Sequence, residues 1–193
     1  MKIKNKAVRI VVAGLLGGLI MFIWSAVSHT MTPFGEAGIS KLSDEVSIRR
    51  NLQGAIGDHS GLYMFPAMDH RGTLEPPPGP SGVIMYHFNR SLSLSPWTVI
   101  LELISELAQG VVAAMLLSAT GMIGYTARVG FVALIGVPVA LATNLTYWIW
   151  FGFPSSYTAS QIFITWGGYL VAGLVIAGVE RTPAPIAAAA RPS

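Results

Sequence analysis

Four long apolar runs, at residues 10–28, 97–119, 129–149 and 162–179, limit what this chain can fold into more than any other feature. The hydrocarbon core of a bilayer takes roughly 20 apolar residues as helix, and each run comes close to or meets that length. Only 11% of the 193 residues are charged, where a soluble domain carries about 25%. The fold class that follows is mainly α: a four-helix transmembrane bundle, with residues 29–96 forming a small extracytoplasmic α+β cap between helices 1 and 2. Residues 120–128 make an inner link, 150–161 an outer link and 180–193 a tail. Short links favour antiparallel neighbours, so the second, third and fourth spans are expected to pack in chain order. Pro138 falls inside the third span, where it removes one backbone hydrogen bond.

Orientation follows from the basic residues beside the spans. Lys2, Lys4, Lys6 and Arg9 precede the first span, Arg128 precedes the third and Arg181 follows the fourth. All fall on one side if both termini are cytoplasmic. Residues 150–161 carry no Lys or Arg. Tyr147, Trp148 and Trp150 end the third span, and Trp97 begins the second, where aromatic side chains anchor at the interface. The first span has an alternative reading as a secretory signal peptide, with small residues at Ala26 and Ser28. Cleavage there would leave three spans. The chain has no cysteine, which excludes disulfides, thiolate metal sites and a thiol nucleophile. The basic charge sits beside an apolar run, so it points to the bilayer as partner and not to nucleic acid.

Residues 29–96 carry local structure signals. Ser43 is placed to cap a short helix with Asp44 and Glu45 in its first turn and Arg49 and Arg50 near its end. Residues 61–66 and 83–88 read as two strands. The stretch 70–82 between them contains Pro76, Pro77, Pro78 and Pro80 and reads as a stiff, extended loop. A lone ribbon is marginal in water, so the cap is expected to rest on the outer face of the bundle. The phrases Gly61-Leu62-Tyr63-Met64-Phe65-Pro66, with Met68-Asp69 after it, and Tyr147-Trp148-Ile149-Trp150-Phe151-Gly152-Phe153-Pro154 resemble a family of small bacterial inner-membrane proteins with four transmembrane helices. The resemblance would cover nearly the whole chain. It implies a bacterial inner-membrane location and no particular activity.

Glu102 and Glu106 are the sharpest chemical feature. At i and i+4 they share a helix face, and Ser105 and Gln109 extend a polar stripe on an apolar helix. A carboxylate within a span is costly unless paired, wet or protonated, and intramembrane ionisable residues are functional candidates by default. The bland reading is that Glu102 is solvated and Glu106 is tied to a neighbouring hydroxyl or amide. Ser25, Ser28 and His29 on the first span, Thr143, Asn144 and Thr146 on the third, and Gln161 and Thr165 on the fourth lie at similar depth, while the inner halves carry no such groups. The expected site is therefore a polar, outward-facing cavity around Glu102, Glu106, Gln109, Asn144 and Thr165. Ordinary interhelical hydrogen bonding explains the same pattern equally well.

His29, His59, His70 and His87 all lie in or beside the outer segment. They are weak candidates for a metal site, because none shows a metal-binding spacing and solvated loop histidines are commoner. Asp58-His59-Ser60 is not a triad, since triad members come from separated positions. There is no phosphate-binding glycine loop and no G-x-S-x-G, so no catalytic residue and no cofactor is assigned. The leading reading is a non-enzymatic accessory or interaction protein of the cell envelope, partnered by lipid, by other membrane proteins or by a second copy of itself. One alternative is a transporter or channel subunit built on Glu102 and Glu106. A second is a membrane enzyme with a metal at the outer histidines.

Overall fold

The computed structural model describes residues 5–66, 78–90 and 95–180. Four helices are long and apolar enough to cross a membrane: α1 (Lys6–Thr30), α3 (Pro96–Thr120), α4 (Tyr125–Phe151) and α5 (Ser155–Val179). At 1.5 Å per residue they run to about 37–40 Å, more than the roughly 30 Å of hydrocarbon, so their ends reach the headgroup level. Between α1 and α3 lie a 3-10 turn (Pro33–Glu36), the helix α2 (Glu45–Ile56) and an antiparallel ribbon of β1 (Gly61–Phe65) and β2 (Gly82–Tyr86). The chain is thus a multi-pass membrane protein with a small α+β segment between its first two spans.

Local signals set the helix ends. Asn5 caps α1 by accepting from Ala7 N and Val8 N, and Ser95 caps α3 by accepting from Thr98 N, with Pro96 at the first helical position, where its missing N–H costs nothing. Gly121 and Gly152 close α3 and α4 in the left-handed conformation. Pro138 lies inside α4, which continues through it to Phe151. The cap of α2 is Asp44, whose carboxylate accepts from Ser47 N at 3.0 Å. This corrects the expectation for Ser43 by one residue, because an N-cap side chain must reach the N–H three positions on. Arg49 and Arg50 consequently sit mid-helix.

The order of packing differs from the order of the chain. α1 packs against both α3 and α5, and α5 packs against α4, whereas α3 and α4 barely meet despite their short connection. The reason is the distribution of small residues. A Cβ on Gly110 would collide with the backbone of Gly14 and Gly18 on α1, and a Cβ on Gly18 would collide with the backbone of Glu106 and Leu107. Without a hydrophobic force between helices in lipid, such backbone approach decides which pairs form. Gly17 receives Ile176, Gly136 receives the Tyr169 ring, and Gly173 receives Val132, which fixes α1–α5 and α4–α5. In all three pairs the matched positions run in opposite directions, so the helices are antiparallel. Ala13, Ala113, Ala114, Leu117, Ala172 and Ile176 form the buried apolar layer between α1, α3 and α5. Cleavage after α1 would remove the helix on which α3 and α5 both rest.

The segment between α1 and α3 docks through its 3-10 turn, which packs on α1 and α5. Gly35 lies against the His29 backbone, and Gly38, at φ 76°, lies against Tyr157 and Ser156. Neither α2 nor the ribbon makes more than glancing contact with the long helices. This corrects the expectation of a cap resting on the bundle. The ribbon holds itself through the Tyr63–Tyr86 edge contact and through Tyr86 Oη, which donates to Gly57 O. The proline-rich loop lies largely outside the described residues.

Candidate functional site

Three polar stripes on three helices converge at the end of the bundle that carries the α2–ribbon segment. Ser25 and His29 are four apart on α1. Glu102, Glu106 and Gln109 lie along α3. Gln161, Thr165 and Tyr169 are spaced by four on α5. Each spacing keeps its set on one helix face. α1 separates α3 from α5, and the trough over it is a cavity of about 310 Å³ lined by all of these side chains with Met21, Trp24, Ile164 and Gly168.

The walls are tied together. Trp24 Nε1 donates to Ile164 O at 2.9 Å, locking α1 to α5. The close seat of the indole on Gly167 makes that bond possible. Tyr169 Oη donates to Gln109 Oε1 at 3.1 Å, bridging α5 to α3 across the trough, and Gln109 Nε2 donates to Ser105 Oγ at 3.3 Å. His29 Nδ1 donates to Ser25 O at 2.9 Å. Glu102 is exposed at the mouth and Glu106 is half-buried below it. Glu106 Oε2 is buried and has no hydrogen-bond partner among the described residues. A buried carboxylate oxygen without a donor is costly in this setting, so this atom is the chemically unfinished point of the cavity.

Of the residues singled out from the sequence, Glu102, Glu106, Gln109 and Thr165 line the cavity and Asn144 does not. Asn144 Nδ2 donates to Ala140 O of its own helix at 2.7 Å. α4 packs on α5 away from α1 and α3, so depth in the membrane does not bring Asn144 to the glutamates. Tyr169, which bridges the trough, does not stand out in the sequence, because an aromatic on an apolar helix looks like core. Its spacing of four from Thr165 and eight from Gln161 was the available signal.

The three histidines among the described residues do not converge. His29 is at the trough, His87 borders a separate gap between α2 and β2, and His59 offers its backbone oxygen to Tyr63 Oη. His70 lies outside the described residues. No group of three His, Cys, Asp or Glu side chains that could hold a metal occurs among the described residues.

The opposite end of the bundle gathers charged residues that the sequence places just beyond the apolar runs. Arg128 and Glu180 are 3% and 4% exposed, and with Lys6 and Arg9 they line a second cavity of about 200 Å³. Comparison with family models, with curated proteins and with solved structures gives no match.

Proposed function

We propose that this chain is a non-enzymatic binding protein of the bacterial inner membrane, with both termini cytoplasmic, whose trough holds a hydrogen-bond-donating or cationic group of a ligand or partner. The observation that carries the reading is Glu106 Oε2, buried and unpartnered in a cavity walled by Gln109, Tyr169 and His29. The apolar layer of Ala13, Ala113, Ala114, Leu117 and Ile176 lies beneath it and supports a blind binding site over a conducting path. The inner-membrane assignment rests on the basic residues beside the spans and on the resemblance of the two aromatic phrases to small bacterial inner-membrane proteins.

The test compares wild type, Glu106→Gln and Glu106→Leu, each purified as the full chain in mild detergent, for what co-purifies. Gln keeps the shape and offers a donor as well as an acceptor, whereas Leu keeps only bulk. A species held by wild type and lost from Glu106→Leu, with both proteins folded, is the expected result. An identical set of bound species on all three proteins would overturn the reading. The transport alternative has one observation in its favour: Glu102 and His29 continue the polar lining to the end of the bundle. It requires flux in proteoliposomes that Glu106→Gln abolishes.

A further inference from the structure

The second cavity lies where four helix ends meet. Lys6 and Arg9 stand in the first turn of α1, Arg128 in the first turn of α4, and Glu180 at the C-cap of α5. Ser118, Gly121 and Met122, at the close of α3, complete the wall. Arg128 and Glu180 are more than nine-tenths buried. Even so, Arg128 Nη2, Arg9 Nε and Glu180 Oε2 are all buried without a hydrogen-bond partner among the described residues. Burying charged groups and leaving their polar atoms unmatched is unfavourable unless something else supplies the partners.

What is missing has a definite chemistry. The guanidinium groups need acceptors, and Glu180 needs a donor. A simple anion would serve the arginines but would leave the carboxylate unmet and repelled. The N-terminus of α4 adds to the demand for an acceptor, because Gly124 provides no side-chain cap and helix N-termini favour anionic oxygens. The cavity also sits at the ends of spans that reach the headgroup level, where lipid phosphates lie, and basic pockets between transmembrane helices at that depth suit phospholipid headgroups.

We infer that this cavity binds a phosphoethanolamine group, its phosphate oxygens on Arg9 and Arg128 and its ammonium at Glu180. Lys6, exposed at the rim, adds attraction for the phosphate without contributing to the choice of headgroup. The group's position at the membrane boundary favours a lipid as its carrier, and the site is independent of the trough at the other end of the bundle.

The test uses the purified full chain in detergent. Binding of phosphatidylethanolamine, phosphatidylglycerol and soluble phosphoethanolamine is followed by native mass spectrometry and by the shift in unfolding temperature. Phosphatidylethanolamine should bind at least about tenfold more tightly than phosphatidylglycerol, the scale of one charge-assisted hydrogen bond. Glu180→Gln should erase that preference, and Arg128→Gln should weaken both lipids by a similar factor. If Arg128→Gln does not fold, Arg9→Gln, at a half-buried position, provides the same test. Soluble phosphoethanolamine binding as tightly as the lipid would support the assigned chemistry and identify a soluble carrier. Equal affinity of wild type for the two lipids, or unchanged binding in both arginine variants, would overturn the proposal.

Discussion

Substitution of Gly110 by alanine should loosen the α1–α3 pair and so the whole arrangement of spans. A Cβ built there meets the carbonyl of Gly14, the amide of Gly18 and the Gly18 Cα, the last at 2.8 Å. Carbon atoms rest at about 3.5–4.0 Å, so the helices must separate by roughly 1 Å. The opposing atoms are backbone and cannot rotate away. Overpacking of this kind costs about 1–3 kcal/mol, while alanine regains up to about 1 kcal/mol of helix propensity over glycine. Gly130, on α4, supplies the control, because a Cβ there meets nothing within 4 Å. The propensity gain is common to both substitutions and cancels in their difference. Gly110→Ala is therefore expected to be less stable than Gly130→Ala by about 1–3 kcal/mol, read from reversible unfolding in mixed micelles. A Gly110→Ala variant as stable as Gly130→Ala would refute the claim that backbone contact at this position sets the helix order.

Two further outcomes follow from the local geometry. Tyr169→Phe removes the donor to Gln109 but keeps the ring against Gly136, so it should cost only about 0.6 kcal/mol, the usual size of such a bond in a membrane bundle; a loss above about 3 kcal/mol would show that the hydroxyl does more than bridge the trough. The Asp44 carboxyl is held below its ordinary value, first by the backbone N–H of Ser47 and then by its side chain. A carboxyl whose value is depressed on folding contributes stability above its unfolded value and loses it as pH falls through the folded one. The protection of the Ser47 amide, its exchange rate relative to an unprotected peptide at the same pH, should consequently fall below the ordinary carboxylate range and not above it, and Asp44→Asn should flatten that dependence. Unchanged protection of Ser47 in acid would contradict the assigned cap.

The spans were legible because an apolar run of membrane length has few other uses, and the two strands came within two residues of their observed ends because β-rich phrases are bounded by glycine and proline. The cap of α2 was displaced by one residue because Ser43, Asp44 and Glu45 all carry plausible capping or first-turn chemistry, and only the backbone bend at Asp44 separates them. The helix order was hidden for a different reason. A short link between α3 and α4 suggests neighbours, but Gly14, Gly18 and Gly110 favour a closer approach between α1 and α3, and complementarity of two small-residue surfaces cannot be read from either one. Glu106 stood out because a carboxylate in an apolar helix is rare. Asn144 was grouped with it by depth alone, which says nothing about direction around the bundle. Arg128 passed as an orientation marker and Glu180 as part of a tail. Their shared cavity depends on four helix ends meeting, and no sequence period encodes that.

The central claim is a four-span chain with a trough open on the side of the α2–ribbon segment, and the absence of cysteine in the sequence makes it directly testable. Single cysteines at Gly54, on exposed α2, at Glu102, at the mouth of the trough, and at Thr126, in the first turn of α4, would be exposed to a membrane-impermeant maleimide in right-side-out vesicles. Labelling of the Gly54→Cys and Glu102→Cys variants is expected in intact vesicles, and of Thr126→Cys only after permeabilisation. Labelling of Thr126→Cys in intact vesicles together with Gly54→Cys, or protection of Glu102→Cys while Gly54→Cys reacts, would contradict that claim.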